Sequence, residues 1–122
     1  MKITKVANNI IMKAYEEAKI NNDEYITPEH LLYAAMFHKD IIDTVISCGG
    51  NVDVIKSNLK EYINDNINKV EDSQPQESYG FKQVIFIASL QVENSGKDTI
   101  NIDHIISALY DLKDSYASYY LI

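Results

Sequence analysis

An all-α domain made of two copies of one helical unit is the fold class this sequence predicts, and three observations carry the prediction. A ten-residue motif returns: Ile26-Thr27-Pro28-Glu29-His30-Leu31-Leu32-Tyr33-Ala34-Ala35 is echoed 74 positions later by Ile100-Asn101-Ile102-Asp103-His104-Ile105-Ile106-Ser107-Ala108-Leu109, with cap, acid, histidine and apolar pair in order. Apolar residues elsewhere recur at steps of one, three and four, the spacing of one helix face. Alternation of apolar and polar residues is nowhere sustained over a strand's length, so no strand is expected. A unit recurring at a fixed offset is the mark of a tandem repeat.

The elements follow in order. Thr4 caps a first helix whose buried face is Val6, Ala7, Ile10, Ile11, Ala14 and Ala18. Asn21, Asn22 and Asp23 end it, because short polar side chains compete with the helical ladder. Thr27 caps the second helix, Pro28 suits its first position, and Glu29 sets a negative charge beside its positive end. That helix stops near His38. Asp40 can cap a short third helix carrying Ile41, Ile42, Val45 and Ile46, which Gly49-Gly50 terminates by supplying a positive φ. Asn51 caps a fourth, with Ile55, Leu59, Tyr62, Ile63 and Ile67 as its stripe.

Residues 68–77 are polar, contain Pro75 and read as a surface linker. Ser78 caps a fifth helix with the stripe Phe81, Val84, Ile85, Ala88 and Val92, and Asn94-Ser95-Gly96 ends it. Asn101 caps the sixth. Asp114 begins a seventh, with Tyr116, Tyr119, Tyr120 and Leu121. The expected organisation is one domain over 1–122: repeat one over 1–67, linker 68–77, repeat two over 78–122. Each repeat is a four-helix unit related to the other by a pseudo-twofold axis, with the last helix of the second repeat missing. Neither unit has enough apolar area to stand alone, so the halves pack on one another.

Composition narrows the function classes. The net charge is −7, and all eleven basic residues are lysines. That argues against nucleic acid, whose phosphates favour basic surfaces and guanidinium forks. No run reaches the roughly 20 apolar residues of a membrane span, and no basic-then-apolar leader follows Met1. The single Cys48 fits a reducing, cytoplasmic setting and reads as a small buried hydrophobe. No catalytic constellation is visible: nothing sets a base beside Cys48, and there is no Gly-x-Ser-x-Gly elbow. His30 and His104 open separate helices without a second histidine one turn away, so no metal site is expected and their imidazoles should bond to the inter-helix loop.

The motifs carry a family resemblance. Ala14-Tyr15-Glu16-Glu17-Ala18, Thr27-Pro28-Glu29-His30-Leu31-Leu32, Phe81-Lys82-Gln83-Val84, Asn94-Ser95-Gly96-Lys97 and Asp103-His104-Ile105-Ile106 resemble the amino-terminal domain of the Clp AAA+ unfoldases, ClpA and ClpC type, over essentially the whole chain. Ser73-Gln74-Pro75 and Phe81-Lys82-Gln83-Val84 look ClpA-like, the favoured subtype, whereas the second acid-histidine pair looks ClpC-like.

The resemblance implies a bundle that sits on an ATP-driven hexamer and receives adaptors and substrates for the ClpP peptidase. The adaptor of ClpA-like proteins is ClpS. No Gly-x-x-x-x-Gly-Lys-Ser/Thr pattern is present, so ATP and Mg belong to later domains, and this chain carries no cofactor and no enzyme activity of its own. By the same resemblance, Glu24, Glu29, Ser78 and Lys82 fall on or near the adaptor-facing surface. Glu29 and Asp103 are the two equivalent acids that bind arginine-phosphorylated substrates in ClpC-like domains. Against both stands dipole complementation at two helix starts, with exposure as the discriminator. A free-standing helical interaction scaffold is the remaining alternative.

Overall fold

In the computed structural model, which describes residues 2–113 and 115–121, a stretch of two residues precedes four of the helices and pairs across the molecule. In chain order the elements are β1 (Lys2–Ile3), α1 (Lys5–Ile20), β2 (Tyr25–Ile26), α2 (Pro28–Ala35), α3 (Lys39–Ser47), α4 (Val52–Asn66), β3 (Gln76–Glu77), α5 (Tyr79–Asn94), β4 (Thr99–Ile100), α6 (Ile102–Asp111) and α7 (Tyr116–Tyr119). The fold is all-α in substance, as the patterning predicts.

The expectation of no strand needs correction. β1 pairs in parallel with β4 (Lys2 with Thr99, Ile3 with Ile100), and β2 with β3 (Tyr25 with Gln76, Ile26 with Glu77). Two residues are too few for any alternation, so no sequence pattern announces such a strand. What drives the pairing is that backbone amides and carbonyls beside a helix start still need partners. The Thr4 amide donates to Ile100 O at 2.9 Å and the Ser78 amide to Ile26 O at 3.0 Å.

The pairing obeys the repeat. Shifting by the offset of 74 carries α1 onto α5 end to end, β1 onto β3 and β2 onto β4. The β1–β4 pair is therefore the image of the β3–β2 pair, and each pair joins the two halves.

The core is the sum of the expected stripes. Ala7, Ile10, Ala14 and Ala18 of α1 and Phe81, Val84, Ala88 and Val92 of α5 are buried. They pack in one cluster with Leu31, Leu32, Leu59, Ile105 and Leu109. Ile11 and Ile85 are half-buried against that cluster. Small alanines on α1 let α2 lie close along it. The edge-to-face contact of Tyr15 and Phe81, centroids 5.9 Å apart, ties α1 to α5. Tyr15 also donates its hydroxyl proton to Glu77 at 2.7 Å, and burial together with that carboxylate pushes the phenol up to about 12.

Several local expectations change. The second helix ends at Ala35, earlier than His38, and His38 rather than Asp40 is the N-cap of α3. α3 buries no residue and has no side-chain cap, and Cys48 at its end is exposed rather than buried. The segment read as a surface linker bonds to the first half at its start, where the Glu24 amide donates to Asn68 O at 2.8 Å and the Val70 amide to Asn22 O at 2.7 Å. Asp114, expected to open the last helix, lies outside the described residues. Ser115 caps α7, accepting from the Ser118 amide.

Candidate protein-interaction clefts

Each half contributes one helix start to each of two clefts. α2 and α5 begin side by side because β2 and β3 lead into them together. The N-caps Thr27 and Ser78 accept from the third amide of their helices, His30 and Phe81. Around them opens a cleft of about 380 Å³ lined by Pro28, Glu29, Tyr62, Tyr79, Leu112 and Tyr116 among others. Three tyrosines from three elements are among its lining residues. Tyr62 of α4 stacks on Tyr116 of α7 at 4.2 Å with planes 4° apart, and Tyr79 stands 78% exposed at the rim. At the opposite pair, α1 and α6 begin together under the caps Thr4 and Asn101. A cleft of about 520 Å³ there is lined by Thr4, Gly96, Lys97, Asp98, Thr99 and Asn101.

Glu29 and Asp103, equivalent in sequence, differ in setting. Glu29 is only 5% exposed, and its carboxylate accepts from the Ala117 amide at 2.9 Å, capping α7 across the interface. Burial pushes its pKa above the ordinary glutamate range, partly offset by that amide. Asp103 is exposed in the first turn of α6. Of the two roles open at Glu29, a structural acid at a helix start or an exposed recognition point, its burial favours the structural one. The cause is α7, which lies over α2 and has no counterpart packed over Asp103.

Beneath Thr27 lies a polar network. The Thr27 amide donates to His30 Nδ1 at 3.0 Å, which places the ring proton on Nε2, 2.8 Å from Asp23 Oδ2. The second oxygen of Asp23 accepts from Lys69. Asp23 and His30 are both buried. His104 repeats the first contact, with Nδ1 3.0 Å from the Asn101 amide, but Lys97 stands where the offset places Asp23. The histidines therefore bond to the loop, as the sequence suggested, and hold no metal cluster among the described residues.

The structure brings Glu29 and Ser78 to one cleft. Lys82 is exposed on the first turn of α5, and Glu24 is half-buried beside β2, its carbonyl accepting from the Gln76 amide at 2.9 Å. Neither lines the cleft wall. Sequence reasoning passed over Thr4 as a cleft residue, although subtracting the offset from Ser78 lands on it. It also passed over Tyr62, Tyr79 and Tyr116, whose convergence depends on tertiary packing.

Comparison with known proteins agrees with this architecture. The family model described as the Clp repeat (R) N-terminal domain matches residues 2–122. This chain is a Clp N-terminal domain. The Clp N domain is 27% identical over 108 residues to a ClpA homolog protein of Fuscovulum blasticum, covering 85% of this chain and 14% of that protein. It is 32% identical over 103 residues to the chaperone protein ClpB of Prochlorococcus marinus, covering 81% and 12%. The chain thus spans about an eighth of the length of these curated relatives.

Its fold matches the Hsp104 N-terminal domain from Candida albicans (TM-score 0.79, 22% identity, 93% of this chain and 79% of that one). It also matches a solved structure described as a peptide from the EAEC T6SS Sci1 SciI protein (TM-score 0.81, 19% identity, 97% and 78%). At 22% and 19% identity these two likenesses are of fold. None of the domain's described helices is long and apolar enough to cross a membrane.

Proposed function

We propose that this Clp N domain is the adaptor- and substrate-receiving module of a ClpA-like unfoldase, and that the cleft between α2 and α5 is its docking surface. One observation carries the reading: aromatic side chains from three elements converge at two adjoining helix starts, with an exposed tyrosine at the rim. Concave aromatic surface with a polar edge is the usual anatomy of a site that grips a protein segment. In this reading Ser78, Lys82 and Glu24 form the polar rim, and Glu29 holds α7 in place as one wall. The whole protein is a cytoplasmic AAA+ ATPase, with ATP and Mg in other domains. It hands proteins delivered by a ClpS-like adaptor to a ClpP peptidase. The similarity to a ClpA homolog over 85% of the chain supports the subtype.

Calorimetry with a ClpS-type adaptor tests the surface. Lys82→Glu is expected to weaken binding about tenfold, the size of one lost charge-assisted contact, with an unchanged melting temperature because Lys82 is exposed. Binding equal to wild type would remove Lys82 from the site.

A ClpC-like receptor for arginine-phosphorylated substrates is the second reading, and the twofold pairing of the clefts favours it. Asp103 is exposed beside the Thr4–Asn101 cleft, where two helix N-termini can meet a phosphate. Titration with phosphoarginine followed by NMR is expected, in that reading, to shift the amides of Thr4 and Asp103 together with Ser78. Shifts at neither cleft would end it.

A further inference from the structure

The corner where α1, the end of α2 and the start of α3 meet lies outside both clefts, and it has the wrong charge for this protein. A cavity of about 270 Å³ there has Val6, Ile10, Ala34 and Phe37 as apolar lining and Lys13 at its side. None of the described residues lining it is acidic, in a chain of net charge −7. Lys13 has no carboxylate within 4.0 Å among the described residues; Glu17, one turn further along α1, already accepts from Lys60 and Asn21. A second cation adjoins. The ammonium groups of Lys13 and Lys56 lie 4.4 and 4.3 Å from the centre of the Phe37 ring, which is itself 44% exposed. Lys56 is held only loosely by the solvent-exposed Asp53 at 3.8 Å.

Two unmet hydrogen-bonding positions lie at the same corner. His38 Nδ1 is buried and has no hydrogen-bond partner among the described residues. α3, which His38 opens, is the one described helix without a side-chain cap, although Asp40 sits in its first turn. A buried polar atom without a partner is a standing cost that a ligand can remove.

We propose that this corner is a second docking site, and that its occupant is an acidic–apolar peptide segment. One apolar side chain enters beside Phe37, and a flanking carboxylate meets Lys13, with His38 in the lining of the same cavity. The volume suits one side chain rather than a drug-sized ligand. Charge complementarity chooses the sign: an acidic segment is drawn to an acid-free cavity of a chain that repels it elsewhere. The Phe37 ring already holds the Lys13 ammonium group against it, so little side-chain order is lost on binding. The site does not rest on the α2–α5 cleft.

The probe is a pair of acetylated, amidated hexapeptides, one with leucine flanked by glutamates and one with the same leucine flanked by lysines. They are titrated into the isotope-labelled chain while amide shifts are read. The expected result is saturable shifts at Val6, Lys13, Phe37 and His38 with the acidic peptide, and about tenfold weaker binding to the lysine peptide. Lys13→Glu should weaken the acidic peptide at least tenfold, and Lys113→Glu, at an exposed lysine after α6, should not. Equal binding of both peptides would make the corner a plain apolar patch and overturn the proposal. So would shifts confined to Ser78 and Tyr79, or concentration-dependent broadening without peptide, which would make a second copy of the chain the occupant. Loss of adaptor binding in Lys82→Glu with peptide binding intact separates this site from the cleft.

Discussion

Between the ordinary glutamate pKa and its own raised value, Glu29 keeps a proton in the folded chain that the unfolded chain has released. Stability linked to this group is therefore greatest below that window and falls as pH rises through it. Glu29→Gln keeps an acceptor for the Ala117 amide and removes the ionisation. The difference in urea midpoint between wild type and Glu29→Gln is expected to move against wild type as pH rises from about 4 to about 7. A difference that stays flat with pH would mean the carboxylate titrates normally.

The sequence placed Glu29 and Asp103 at equivalent helix starts but could not separate their fates, since burial of one depends on where α7 lands. In the same way Thr27 and His30 were legible as a cap and a loop-bonding histidine. The buried partner Asp23 was not, because it looked like one more polar residue at a helix end. Its side chain bonds to both His30 and Lys69, the latter 46 residues away in sequence.

At the scale of elements, helix spans and buried faces were largely readable from periodicity and caps, because those patterns are local. α3 was the weak point. Its four apolar residues looked like a core stripe, yet Ile41, Ile42 and Val45 are only partly covered and Ile46 is 60% exposed. A nine-residue helix with no side-chain cap and no buried residue depends on its neighbours for order. α4 is anchored differently, through Leu59 and Ile63, both buried. Leu59→Ala is expected to cost about 2–5 kcal/mol, the range for emptying a closed core position, measured by chemical denaturation. Ile46→Ala should fall within about 0.5 kcal/mol of wild type, as exposed substitutions do. A large loss at Ile46 would show that α3 is covered in solution by something packed on it.

For the molecule as a whole, the offset of 74 predicted the pseudo-twofold relation, and the strand pairs give it a mechanical form. β1 and β2 from the first half bond to β4 and β3 from the second, and core residues of both halves belong to one cluster. Neither half has its apolar face covered without the other. Urea unfolding followed by tyrosine fluorescence and by far-ultraviolet circular dichroism is expected to give coincident, single transitions. Two separated transitions would show that the halves fold independently.

The crossed pairing also bears on ancestry. Since β1 has the place in its repeat that β3 has in the other, and β2 that of β4, one unit alone carries both strand types. Two identical molecules of the first unit could exchange them as mutual partners, β1 of each lying along β2 of its twin. A symmetric homodimer whose gene was copied in tandem would have needed no new interface to become this single chain. Asp23 where the other copy has Lys97, and Glu29 buried while Asp103 stays in solvent, are the places where the twins have since diverged.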